Sequence, residues 1–171
     1  MLKIINPVLY ESDRVVSRKK AIDLIAEFKS QNKKVGLCHG AFDLLHPGHI
    51  RHFESAKKLC DVLFVSVTSD RFVSMRKGTG RPVYTDKVRA YMMANLKPVD
   101  YVVISDFETA IEAIRLLKPD YYIKGPDYIK SKIAAITAER EAVASVGGSI
   151  RYTNDPKLAT TSIISYIKEK L

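Results

Sequence analysis

The run VLFVSVTS at residues 62–69 constrains this chain more than any other stretch. It is rich in β-branched residues and nearly continuous in apolar character. A strand with one wet face alternates; this one does not, so both of its faces must be covered. Four further short runs read as strands: 35–38, YVVI at 101–104, YYIKG at 121–125 and SIRYT at 149–153. Helical spacing fills the intervals. Ala21, Leu24, Ile25 and Phe28 mark a helix over 16–30, and Ile50, Phe53, Ala56 and Cys60 one over 47–60. A third covers 86–97 and stops before Pro98. Ser105 and Glu108 read as a capping box opening a fourth, with Ile111, Ile114 and Leu117 inward and an end at Pro119. A fifth covers 131–146, closed by Gly147 and Gly148, and a last one covers 161–171 with Ile163, Ile164 and Ile167 on one side.

Strands alternating with helices of this length predict a three-layer α/β/α sandwich around a mostly parallel five-stranded sheet. A chain of 171 residues suits one such core, so residues 16–171 are read as a single domain. Residues 1–15 are read as an irregular N-terminal arm whose first nine could form an edge strand. In sheets of this kind ligands lie beyond the carboxyl ends of the strands, which directs attention to loops 40–49, 69–85, 125–130 and 153–161.

The formal net charge is +9, from 28 Lys and Arg against 19 Asp and Glu, which favours anionic partners without choosing among them. Cys38 and Cys60 read as reduced core residues. No charged-then-apolar leader and no run approaching about 18 apolar residues is found, so the expected location is the cytoplasm, with no membrane partner.

One of those loops is GAFDLLHPGH, residues 40–49. Pro47 suits the first turn of a helix, where its missing N–H loses no partner. His46 then falls at the cap and His49 in the first turn, and Gly48 lets a ligand approach the backbone. Free N–H groups and the helix dipole at this end favour a phosphate and disfavour imidazolium, so both histidines are expected to act as neutral donors. Both are placed in a surface loop, so replacing either should spare folding. The plain alternative is a capping histidine and a surface one.

The stretch resembles the G-x-F-D-x-x-H-x-G-H signature of the cytidylyltransferase-like nucleotidyltransferases. The resemblance continues through Arg81–Val83 (RPV), Arg89, LKPVDYVV, KPDYYIKGPDY and ATTSII, from about residue 19 to the C-terminus. It implies the Rossmann-like HUP/nucleotidylyl transferase fold. Within the family the chain most resembles the adenylyltransferase half of the bifunctional heptose kinase/adenylyltransferases, which make ADP-heptose from heptose 1-phosphate and ATP. The partners implied are an NTP and a sugar phosphate, with Mg²⁺ held mainly by the triphosphate, and a homodimer, which relatives often form. Nucleic acid is not the expected partner. Two departures bear on the sugar phosphate or the base: Pro126, where relatives read K-G-G-D-Y, and Ala159, where they read S-T-T.

Taken together, residues and resemblance suggest roles. His46, His49 and Lys77 are the catalytic candidates. Gly40, Ala41 and Phe42 would line the α-phosphate pocket, Asp43 would orient its loop, and Gly48 would admit the phosphates. Lys124 and Gly125, at a strand's carboxyl end, and Asp127 would face the nucleotide. Thr160 and Thr161, opening the last helix, would reach the β- and γ-phosphates. Lys77 and Arg81 would close over phosphates, and Arg89, matched by family position, would grip the acceptor's phosphate. Tyr121 and Tyr122 read as packing, His39 as a strand-end residue and His52 as a surface one. The base would be chosen by backbone contacts.

The expected reaction is transfer of NMP from an NTP to a sugar 1-phosphate with release of pyrophosphate. A CTP-dependent cytidylyltransferase acting on glycerol 3-phosphate or a similar phosphate is the alternative. A non-catalytic nucleotide- or RNA-binding module is the alternative from another class. Phosphate-loop and dinucleotide fingerprints and zinc-type Cys/His spacing are not found.

Overall fold

The computed structural model describes residues 9–129, 134–156 and 160–170. Five strands, β1 (Val35–Gly40), β2 (Val62–Thr68), β3 (Tyr101–Ser105), β4 (Tyr121–Lys124) and β5 (Ser149–Tyr152), form one sheet. Its order is β3-β2-β1-β4-β5, and every pairing is parallel. The helices are α1 (Arg18–Ser30), α2 (Pro47–Lys57), α3 (Asp70–Lys77), α4 (Asp86–Ala94), α5 (Ala110–Leu117), α6 (Ala134–Ser145) and α7 (Thr160–Lys170).

The sheet divides the core in two. Val35, Leu37, Val62, Phe64 and Tyr122 pack on one face, with Leu24, Ile25, Ile114 and Val143 from α1, α5 and α6. Leu63, Val65, Val67 and Ile123 pack on the other, with Phe53, Ala56, Ala90 and Met93 from α2 and α4. Successive β2 residues therefore enter opposite cores, which is why its apolar run is unbroken. Each fully buried Val, Leu, Ile, Phe or Met among them contributes about 1.5–3 kcal/mol against the entropy of ordering the chain.

Several boundaries differ from those read in the sequence. β3 runs one residue further, so Ser105 ends a strand and does not cap a helix. The cap is Thr109, whose Oγ1 accepts from Ile111 N–H at 3.2 Å and donates to Glu112 at 2.5 Å. Two Ser/Thr-x-x-Glu patterns stand four residues apart, and the second is the one used. Helix α3 falls within a predicted loop; its single buried residue, Val73, gives no apolar stripe to detect. In α7, Ile167 stays 47% exposed. Before α1, Arg14 O accepts from Val102 N–H and Val16 N–H donates to Val102 O, so the chain there lies along the β3 edge. Residues 1–8 and Ala159 lie outside the described residues.

With β2 on one side of β1 and β4 on the other, the chain reverses direction of travel at β1. The crevice this leaves beyond the carboxyl ends of β1 and β4 is where such folds place ligands.

Candidate active site

Gly40 ends β1, and the next residues turn sharply. Phe42 adopts φ +45°, a left-handed conformation uncommon for a large residue, and lays its ring back over Gly40. A Cβ at position 40 would stand 3.0 Å from that ring, so glycine is what lets the turn close. The ring also meets Phe53 at 5.2 Å and His49 edge-on at 5.3 Å. This anchors the entry of α2, whose first residue is Pro47 and whose cap is His46.

His46 and His49 stack with ring centroids 3.7 Å apart and planes 19° apart. His46 is only 5% exposed, so it is not in a surface loop as expected from sequence. Burial lowers the proton affinity of both rings. His49 falls to about 3, helped by its neighbour His46. Two stacked imidazoliums would repel strongly, so the pair is neutral at physiological pH. Nδ1 of each ring is buried with no hydrogen-bond partner. Such atoms are rare in folded proteins, because each lost its water without replacement.

A cleft of about 250 Å³ opens from these rings. Phe42, Gly48, Lys124, Gly125 and Asp127, which the sequence assigns to the nucleotide, line it together. Lys124, at the end of β4, is held by Glu139 at 2.7 Å and lies 4.2 Å over the Tyr128 ring. Pro126 opens the short 3-10 turn Pro126–Tyr128, a position where its missing N–H has no partner to lose. Thr160 begins α7 and its Oγ1 lies 3.5 Å from Leu44 O, bringing this helix start to the signature loop. Thr161 follows in the same turn. A second cleft of about 460 Å³ adjoins the first through His39, Lys124 and Tyr128. It is lined by Gly40, Ala41 and Lys77, with Arg76, Glu108 and Glu139 around them.

Asp43 is buried and anchors the loop that follows α3. Its Oδ1 accepts from Val83 N–H at 2.6 Å, Oδ2 accepts from Arg81, and Lys77 Nζ stands 3.8 Å away. Lys77 remains 37% exposed, and partial burial lowers its proton affinity against the opposing pull of Asp43.

Arg89 requires a correction. It is fully buried, neither a helix-surface residue nor a grip for substrate. Its guanidinium donates to Tyr84 O at 3.1 Å, to Ala41 O, to Thr68 O at 2.8 Å and to Asp70 at 2.8 Å. Four of its five N–H groups are thus engaged within the protein, leaving no fork for a phosphate.

Several cleft residues escaped the sequence reading. His52 is not a surface residue: its Nε2 lies 3.4 Å from Cys38 Sγ and its Nδ1 3.0 Å from Thr153 Oγ1. Its spacing of three from His49 and its position next to inward-facing Phe53 were the available signal. His39, at the end of β1, bridges Ser66 and Thr68, and burial lowers it to about 3. Tyr128, Thr153 and Asp155 also line the cleft; loops 125–130 and 153–161 are singled out by the fold, but no local pattern marks these residues within them.

A parallel sheet with a helix start and two uncharged histidines at its central crevice is the arrangement of a nucleotidyltransferase. The chain belongs to the cytidylyltransferase-like family, which it matches over residues 37–166. It is 38% identical, over 99% of its length, to the Bifunctional protein HldE of Campylobacter jejuni subsp. doylei. It is 33% identical, over 94% of its length, to that of Rhodopseudomonas palustris. The chain covers 34% and 32% of these two proteins, about a third of each. Among solved structures, it is similar in fold to a lipopolysaccharide core biosynthesis protein from Thermoplasma volcanium. That match has a TM-score of 0.58 and 24% identity, covering 74% of this chain and 99% of that one. It is also similar in fold to a pantoate-beta-alanine ligase from Francisella tularensis, with a TM-score of 0.59 and 14% identity, covering 92% of this chain and 77% of that one. Among the described residues no helix is long and apolar enough to cross a membrane.

Proposed function

We propose that this chain transfers AMP from ATP to a sugar 1-phosphate, heptose 1-phosphate first among the candidates, with release of pyrophosphate. The stacked, neutral His46–His49 pair, with both Nδ1 atoms unpartnered at a helix start, carries the reading. The likeness to the HldE proteins supports the choice of sugar.

An ionised oxygen of the acceptor phosphate attacks the α-phosphorus. The new P–O bond forms as the bond to the β-phosphate bridging oxygen breaks, and pyrophosphate leaves with those electrons. The nucleophile is already charged near neutral pH, so no general base and no covalent enzyme intermediate are required. Catalysis rests on alignment and on stabilising charge at the phosphoryl oxygens. A neutral imidazole donates one hydrogen bond, and the pair offers two on one phosphoryl group. Lys77 adds a cation from the second cleft, where the acceptor sits beside Arg76, and the start of α7 at Thr160 is the part of the fold that would reach the distal phosphates. Mg²⁺, when bound, neutralises triphosphate charge. Among the described residues there is no cluster of three or more metal-ligating side chains, and the ion would be held mainly through the triphosphate. Asp127, one of two carboxylates on the cleft wall, would meet its water shell. The setting of such a reaction is the cytoplasm, where NTPs are supplied.

A panel of the four NTPs against sugar and alcohol phosphates, read by pyrophosphate release, tests this. ATP with heptose 1-phosphate should give the highest kcat/KM. Turnover with CTP and glycerol 3-phosphate alone would replace both substrates. Salt-sensitive RNA binding with no pyrophosphate release would replace the enzymatic reading itself.

A further inference from the structure

Apart from the stacked histidines, the described lining of the nucleotide cleft has one buried polar side-chain atom in search of a partner. If the phosphates occupy the His46–His49 part of the cleft, as the proposed function has it, the nucleoside occupies the rest, whose lining includes Ile123, Thr153 and Pro156. Most polar groups there are already engaged. Both ring nitrogens of His52 are bonded, one of them to Thr153 Oγ1. Lys124 is paired with Glu139, and Asp127 has an interaction of its own.

Asp155 differs. Its Oδ1 accepts from Ser55 Oγ at 2.8 Å, which fixes the carboxylate in one orientation. Its Oδ2 is buried and has no hydrogen-bond partner among the described residues. With His46 Nδ1 and His49 Nδ1, that makes three unpartnered buried atoms lining one cleft. Two can donate or accept at the phosphate end, according to tautomer. The third is a carboxylate oxygen, an acceptor.

We propose that Asp155 selects the nucleobase: its Oδ2 accepts a hydrogen bond from the exocyclic amine of adenine or cytosine. A base that presents a carbonyl at the same position would set lone pairs against a buried carboxylate. A site that offers only an acceptor therefore rejects it by leaving both groups unpaired. The inference rests on the nucleotide occupying this cleft. It adds a side chain to the backbone contacts expected to choose the base.

Adenine and hypoxanthine differ at this group, as do cytosine and uracil, so equilibrium binding of Mg²⁺ complexes of ATP, ITP, CTP and UTP tests the proposal without any acceptor. The wild-type protein should bind ATP over ITP, or CTP over UTP, by about tenfold or more. Asp155→Asn keeps the shape and can present an amide N–H, so it should bring that ratio to about one or invert it. Asp155→Ala should lose affinity for the amino base without gaining any for its carbonyl counterpart. A wild-type ratio near one in both pairs overturns the proposal, and needs no variant to fold. So does a ratio that survives Asp155→Asn, or a preference that follows removal of the ribose 2′-hydroxyl in 2′-deoxyATP and not the base. Base discrimination without pyrophosphate release from any acceptor would remove the proposed reaction and leave this assignment standing.

Discussion

The two sides of the signature turn treat polar atoms in opposite ways. Towards α3 and α4, Asp43 and Arg89 are buried and matched: one carboxylate holds Val83 and Arg81, one guanidinium holds three carbonyls and Asp70. Towards α2 and β5, buried His46 and half-buried His49 and Asp155 each keep one buried atom unmatched. Both groups of residues are polar, and Asp43, Arg89, His46 and His49 all stand out in the sequence as site candidates. A buried charge that is fully paired builds the loop. A buried polar atom that is not paired is stabilised only when something arrives. Pairing thus separates scaffold from site where residue type does not.

Arg89 gives the largest test. Arg89→Met strands Asp70 and the three carbonyls and should cost about 3–5 kcal/mol in urea denaturation. Arg89→Lys should recover only part of it, because a point-charge ammonium cannot span four acceptors in a fixed plane. Preserved stability with a raised KM for the sugar phosphate would return Arg89 to the substrate side of the comparison. On the other side, His46→Ala and His49→Ala should each lower kcat by about 10²-fold or more, the effect of removing one transition-state donor. Their stability cost should be smaller, about 1 kcal/mol from the lost ring stack, since no hydrogen-bond partner is stranded. A loss of stability like that of Arg89→Met, with kcat per folded molecule intact, would make them scaffold.

Acid sensitivity comes next in size. His39 and His49 hold to about 3 in the folded protein, against about 6.5 when unfolded. Between these values the unfolded chain binds more protons, so stability is full above pH 6.5 and falls as pH drops towards 3. The slope should approach about 1.4 kcal/mol per pH unit for each histidine, less where solvent reaches the ring. Over pH 6–8 neither ring should titrate, so neither should bend the kcat/KM profile, and their NMR shifts should stay flat. Imidazole shifts moving through pH 6–7 would show that the stacked pair carries charge.

The reading of the fold from sequence worked where burial imposes a period. β2 must be apolar throughout because it serves two cores, and α2 declares itself by Pro47 and the Phe53–Ala56 spacing. It failed at α3, where a helix buries one residue, and at Ser105, where strand and cap signals overlap. The site divides in the same way. GAFDLLHPGH is contiguous, so its geometry is local and could be inferred before any packing was known. Arg89 reaches Ala41 across 48 positions, and Asp155 reaches Ser55 across 100. Partners at such separations are set by topology, and an arginine's engagement within the protein leaves no local trace.

Lys77 lies on the boundary between the two regions and gives the smallest and finest test. Its ammonium is 3.8 Å from Asp43, too long for a hydrogen bond, and it faces the second cleft half-exposed. Arg81 and Val83 already match the Asp43 carboxylate, so Lys77 adds only a screened Coulombic attraction, about 1 kcal/mol or less. Lys77→Met should therefore leave the urea midpoint nearly unchanged. A phosphate entering between Lys77 and His49 would draw the ammonium away from Asp43 at little cost, which a tightly paired cation could not do. The same variant should raise the NTP KM by about fivefold, roughly 1 kcal/mol, with the larger share of the loss at low ionic strength. A destabilised variant with unchanged KM would place Lys77 with Arg89. A stable one with weakened, salt-sensitive binding would place it with the histidines, and would show that the line between scaffold and site runs through Asp43.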